Sequence, residues 1–244
     1  MSELRSPTFL AALVIGVAIV LASAIGGWAF ASARRGDQTI TVTGSAKRRI
    51  RSDMVVWKAA VSYQAPALAD AYRSLTESIP KVKNYMVSKG IPDNEITVSS
   101  ISSQTLHGRT SDGVESSEIT GYSLRQELEV RSKDVEKIGK IAREATELIN
   151  QGILLESMAP EYYYTALGGL KIEMMSEAAK DAKLRAEKIA ESTGSSIGSV
   201  KTARMGVLQI TPADSNEVSD SGMNDTSSLD KDITAVVSIG FGVD

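Results

Sequence analysis

The sequence predicts an α+β protein, a single domain of mixed sheet with three main helices, preceded by one N-terminal transmembrane helix. Three observations carry this expectation. Arg5 and Arg34 bracket a run with no charged residue. Several later segments alternate apolar and polar residues with the period of a half-buried strand, and three others repeat at three and four, the period of an amphipathic helix.

Residues 1–8 form a short tail, 9–33 the transmembrane helix, 34–38 a polar linker and 39–244 the folded domain. From Phe9 to Ala31 an α-helix rises about 35 Å, enough to cross a hydrocarbon layer of about 30 Å. Phe9, Leu13, Val17, Leu21, Trp28 and Phe30 belong to this span. Trp28 and Phe30 sit where an interfacial aromatic belt is expected. Arg34 and Arg35 close it, placed for lipid headgroups. A cleaved signal peptide is the rival reading, since Ala29-Phe30-Ala31 fits a small-x-small cleavage site. The apolar run is longer than the roughly 7–15 residues of a signal core, which favours a retained anchor. Ala18, Ala22 and Gly26 recur every four residues and would let helices approach closely in lipid. Arg34 and Arg35, counted locally, point the domain at the cytoplasm, but long domains translocate regardless of charge.

Thr39 to Thr43 is β-branched at every position and reads as a strand stopped by Gly44. Lys47, Arg48, Arg49 and Arg51 follow, a set that anionic headgroups or plain solvent would satisfy. Val55, Trp57, Ala59, Val61 and Tyr63 alternate along the next strand, which Pro66 ends. Leu68, Ala71, Leu75, Ile79, Val82 and Met86 mark the first domain helix, with Pro80 expected to kink or split it. Gly90 is placed to cap that helix, and a strand follows over Ile96, Val98 and Ile101. Residues 107–118 carry loop signals, with the lone histidine, His107, at the start.

Tyr122 to Val130 alternate in another strand, and Asp134 is a candidate N-cap for a helix through Ile149 that ends at Gly152. A strand through Tyr162–Tyr164 comes next. Strand, helix, Gly-Ile and strand thus occur twice, around Gly90-Ile91 and Gly152-Ile153, which suggests an internal repeat. The third helix runs from about Leu170 to Thr193. Ile172, Met175, Ala179, Ala182, Ala186, Ile189 and Ala190 form its expected stripe. Ala178, Ala182 and Ala186 are candidates for close oligomer packing. Strands at 200–210 and 233–241 enclose an acidic, polar stretch at 212–232, read as a mobile hairpin loop because Val218 breaks the alternation a calcium loop needs.

Composition removes several function classes. With no cysteine there is no disulfide framework and no thiolate chemistry, and one histidine cannot build a multi-histidine metal site. The net charge is −3, and residues 1–36 are themselves basic, so the domain is acidic and lacks an electrostatic footprint for nucleic acid. No phosphate loop, dinucleotide turn or serine nucleophile elbow occurs. No catalytic, cofactor or metal residue is assigned.

The order of pieces resembles the SIMPL-domain family. The residues that carry it are Ile40-Thr41-Val42-Thr43-Gly44, Asp53 before the long strand, Gly90-Ile91 with Glu95-Ile96-Thr97, Gly121-Tyr122, and the Ala-rich run Glu177 to Ala186 closing at Gly194. The family includes bacterial periplasmic and envelope proteins and an animal protein associated with a receptor-linked kinase. The resemblance implies an exported or envelope-anchored α+β domain without established catalytic residues. It also implies a large ring- or barrel-like homo-oligomer. Pro80 and the long apolar N-terminus depart from the family pattern. The expected function is a membrane-anchored, self-assembling extracytoplasmic structural or interaction protein, single-pass in the cytoplasmic membrane with its domain outward, and not an enzyme. The alternatives are a pore- or channel-like homo-oligomer, which the lack of a polar stripe on the span disfavours, and a hydrolase with an unfamiliar site.

Overall fold

A computed structural model describes residues 7–35 and 38–243, and within the first helix the side chains of Ala11 and residues 13–29. In chain order the elements are α1 (Pro7–Arg35), β1 (Thr39–Arg51), β2 (Met54–Ala65), α2 (Leu68–Ser88), β3 (Ile96–Val98), β4 (Ser102–Arg109) and β5 (Glu115–Ser132). Then come α3 (Val135–Glu144), β6 (Leu155–Ser157), β7 (Glu161–Tyr163), α4 (Leu167–Ser192), β8 (Ile197–Met205), β9 (Gln209–Pro212), β10 (Met223–Asn224) and β11 (Asp230–Val243). The described residues group into two compact units. Unit 1 holds residues up to Ala46, Glu173–Gly206 and Ala235 onward; unit 2 holds Lys47–Ile172 and Val207–Thr234.

Unit 2 is built on the antiparallel pair β2–β5, in register from Val55 opposite Ser132 to Ala65 opposite Tyr122. β3 and β4 pair with the far edge of β5, and β6 and β7 with the far edge of β2. The alternation read from the sequence sends Val55, Trp57, Ala59 and Val61 to one face, where Leu75, Val82 and Met86 of α2 and Ile138 and Ile141 of α3 cover them. Trp57 is fully buried, and its indole N–H donates to Ser157 Oγ at 3.1 Å, which donates on to the Ala142 carbonyl at 2.7 Å. That relay satisfies the one polar atom that burying a tryptophan brings inside.

Pro80 does not split α2, which runs unbroken through it. A proline here removes the bond to the Thr76 carbonyl and costs about 3 kcal/mol. Its ring lies on the exposed side, while Leu75, Ile79, Val82 and Met86 are buried on the other, and that burial outweighs the loss. Pro80→Ala restores the donor and is expected to raise stability by about 1–2 kcal/mol in urea denaturation. An unchanged midpoint would mean that the Thr76 carbonyl is satisfied without it.

The suspected repeat is present in backbone detail. After α2, the Gly90 N–H bonds Val87 O at 2.8 Å and Ile91 N–H reaches back to Met86 O at 3.1 Å. After α3 and the 3-10 turn at Ala145–Gln151, Gly152 N–H bonds Ile149 O at 3.0 Å and Ile153 N–H bonds Leu148 O at 3.3 Å. Both glycines are left-handed, φ +84° and +77°. Each helix returns a short strand to the partner's edge: β3 pairs β5, and β6 pairs β2.

The segment expected as a loop at 107–118 is mostly strand. β4 and β5 form a hairpin closed at Thr110–Val114, where Gly113 takes φ +77°. His107 sits in β4 opposite Ile119, exposed. The alternation signal is missing because most of the arm's side chains on both faces meet solvent. The acidic stretch also carries more order than a free loop. β10 pairs β9 in parallel, and Gln209 Nε2 donates to Ser219 O at 2.6 Å. The strand expected over 200–210 is two strands, β8 and β9, separated at Gly206.

In unit 1, β11 pairs β8 antiparallel, with Val237 opposite Met205 and Ile239 opposite Ala203. The buried line of α4 is Leu170, Met174, Ala178, Ala182, Ala186 and Ala190. This corrects the expected stripe, since Ile172 and Ile189 are exposed. The reason is a close approach at Gly44 of β1: a Cβ there would lie 2.3 Å from Ala178 O and from Ala182 N. Only alanine-sized residues permit helix and strand backbones to meet so closely. Asp181 adds a direct tie, accepting the Ser45 N–H at 2.8 Å.

Candidate functional site

The side of the unit 2 sheet away from α2 and α3 carries an open concavity. Three strands build it by register alone. Val56 on β2 stands opposite Arg131 on β5 and opposite Glu161 on β7, so a cation, an apolar residue and an anion form one row across the sheet. One step along, Met54 faces Tyr163; in the other direction, Lys58 faces Glu129. The result is an open cleft of about 490 Å³ with Met54 and Val56 as its floor. Long polar side chains form its walls, and Val56 is only 6% exposed beneath them.

Hydrogen bonds fix both walls. Arg131 Nε donates to Glu129 Oε1 at 2.6 Å, and Lys58 Nζ lies 3.8 Å from Glu129. The Tyr163 hydroxyl donates to Glu161 Oε2 at 2.6 Å, and this bond to a carboxylate, with some burial, raises the phenol above its ordinary pKa. At the rim Asp53 accepts both the N–H (2.8 Å) and the hydroxyl (2.7 Å) of Thr165, clamping the start of β2 to the chain after β7. The cleft therefore presents opposite charges over a hydrophobic floor.

A second polar centre in unit 2 is Asp232, 2% exposed. Arg49 donates to it from Nε at 3.0 Å, Lys47 lies 3.0 Å away, and Asp214 N–H donates at 3.0 Å. The Arg49 guanidinium, helped by Asp214 N–H and Lys47 and opposed by burial, holds this carboxyl far below the usual carboxylate range. Arg49 also pairs with Asp214, which takes a left-handed φ of +63° to reach it. Next to Asp232, the buried Lys231 ammonium donates to the carbonyls of Tyr162 (2.6 Å) and Asp225, and burial lowers its pKa. A cavity of about 50 Å³ adjoins it, bounded in part by Tyr164, Leu167 and Ile210. Among the described residues no cluster of acidic or histidine side chains could hold a metal ion.

The residues singled out in the sequence fall in different places. Lys47, Arg49 and Arg51 are engaged with carboxylates, Arg51 with Glu136 and Asp230. Ala178, Ala182 and Ala186 are fully buried within unit 1, which leaves Leu184 and Ile189 as open apolar positions on that helix. Leu13, Val17, Leu21 and Trp28 are exposed on α1, as are Ala18, Ala22 and Gly26. The side chains of Phe9, Phe30, Arg34 and Arg35 lie outside the described residues. Among the described residues no helix is long and apolar enough to cross a membrane; the side chains described from 13 to 29 cover about 25 Å.

The cleft was not legible from the sequence. The available hint was the outward set of β2, where Val56 and Ala60 are apolar on the side that alternation assigns to water. An apolar residue there signals cover or concavity.

Residues 40–241 match the family described as SIMPL, protein of unknown function (DUF541). The chain is also similar to the 26 kDa periplasmic immunogenic proteins of Brucella melitensis biotype 1 and Brucella abortus strain S19. Each is 31% identical over 116 residues, a stretch covering 46% of this chain and 46% of the relative. The match thus spans less than half the length of these curated relatives.

Proposed function

The chain belongs to the SIMPL family, and we propose that it is a membrane-anchored, self-assembling extracytoplasmic protein of the cell envelope with a structural or interaction role and no catalytic one. The observation that carries this reading is α1. Its described apolar residues are bare on every face, from Val17 at 52% exposed to Trp28 at 74%. A helix that is apolar all round with no protein against it is stable only in lipid or against other such helices. Phe9 and Phe30 extend the apolar run at both ends in the sequence. An outward-facing domain agrees with relatives that are named periplasmic. Neither their names nor the family's description denotes an enzyme.

Self-assembly is supported by β8. This nine-residue strand pairs only with β11 among the described strands, and its residues from Ser199 on are exposed on both faces. An uncovered edge offers a row of unpaired backbone groups to another chain. The test is fractionation of the full chain beside Val17→Lys/Leu21→Lys. The native chain should resist carbonate extraction from membranes, and the double variant should be released, since each lysine at mid-span costs about 2.5–3.5 kcal/mol. A native chain recovered in the soluble fraction rejects the anchor. A monomeric mass for the detergent-solubilised chain rejects the assembly.

A further inference from the structure

We propose that the sheet-face cleft of unit 2 is a binding site for a small zwitterionic ligand, an amino acid or short peptide with free amino and carboxylate ends. This goes beyond the envelope role and does not depend on α1.

The charges are arranged to be read together but not to neutralise each other. Arg131 and Glu161 flank Val56 on its two neighbouring strands. Two strand spacings place their backbones about 10 Å apart. Each is held on its own side, Arg131 by Glu129 and Glu161 by Tyr163, which leaves each charge paired on its own wall. Arg131 meets Glu129 through Nε, which leaves the outer guanidinium edge for a carboxylate in the paired geometry arginine favours. Lys58, 3.8 Å from Glu129, is beyond hydrogen-bond distance and adds a second cation on the same side. On the opposite wall the Tyr163 hydroxyl occupies Oε2 of Glu161, and Oε1 remains to accept from an ammonium. Between the walls, Met54 and Val56 provide the apolar contact that an aliphatic side chain needs. An extended peptide spans about 3.3–3.6 Å per residue, so two or three residues bridge the gap with both ends charged. A volume of about 490 Å³ suits a ligand of this size.

The experiment is calorimetric titration of the detergent-solubilised full chain with trialanine, and with trialanine acetylated at its N-terminus and amidated at its C-terminus. Trialanine is expected to bind and the capped peptide to bind at least tenfold more weakly. Glu161→Gln and Arg131→Gln should each weaken trialanine at least tenfold. Both positions are exposed, so the unfolding midpoint should stay that of the native chain. Trialanine should also slow amide exchange in the segments 54–58, 129–133 and 161–165. Absence of binding at millimolar peptide, equal binding of both peptides, native affinity in both variants, or protection confined to other segments would each overturn the assignment.

Discussion

Gly44→Ala is expected to destabilise unit 1 by at least about 3 kcal/mol, an effect far larger than one methyl group ordinarily has. The added Cβ would lie 2.3 Å from Ala178 O, 2.3 Å from Ala182 N and 2.7 Å from Ala182 Cα. All three are backbone atoms of α4, so no rotamer change relieves the clash. Relief requires moving helix and strand apart, which strains the bond from Ser45 N–H to Asp181 and opens the packing of Ala178, Ala182 and Ala186. Urea denaturation measures the loss. Combining Gly44→Ala with Ala182→Gly should not restore stability, because the offending atoms remain; recovery would show that side-chain crowding, not backbone approach, sets the requirement. Gly168→Ala at the start of α4 is the contrast: its Cβ meets nothing within 4 Å, and the change should be neutral or mildly stabilising.

The same helix shows where sequence reading succeeds and where it stops. Periodicity located α4 and its glycine stop at Gly194, which takes φ +74°. It chose the wrong face in part because it ranks residues by hydrophobicity. Ile172 and Ile189 look like core, yet both are exposed, while Ala178 and Ala182 lie where β1 comes closest, at Gly44. Nothing in the helix itself announces a neighbour's glycine. In unit 2 the reading fared better, because β2 packs large residues against helices through side chains, and Val55, Trp57, Ala59 and Val61 are all buried as alternation requires. The hairpin of β4 and β5 escaped notice for the opposite reason: few of its side chains are buried, so burial left little periodic trace in its composition. The cleft and the Asp232 centre depend on register between segments far apart in the chain. Asp232 and Arg49 are separated by 183 positions, and no local pattern links them.

Asp232→Ala is expected to cost about 2–3 kcal/mol at neutral pH, the scale of a charge-assisted network broken on one side. The value sits at the low end for a buried pair because Lys47 and Arg49 are each about half exposed, 52% at the side chain, and regain water when the carboxylate is removed. Asp214 N–H and its left-handed backbone lose their acceptor as well. The native protein should also lose stability in acid through this residue. Its folded pKa is depressed by Arg49, so the contribution is fully present above the unfolded aspartate value of about 3.9 and disappears as pH falls through that value toward the lower folded one. The difference in stability between the native chain and Asp232→Asn should therefore be flat from neutral pH to about pH 5 and narrow below about pH 4. Asparagine keeps the shape and one acceptor but no charge, so it isolates the titrating part. A difference that widens as pH falls, or that persists unchanged at pH 2, would show that the pairing with Arg49 and Lys47 does not set the acid response of this centre.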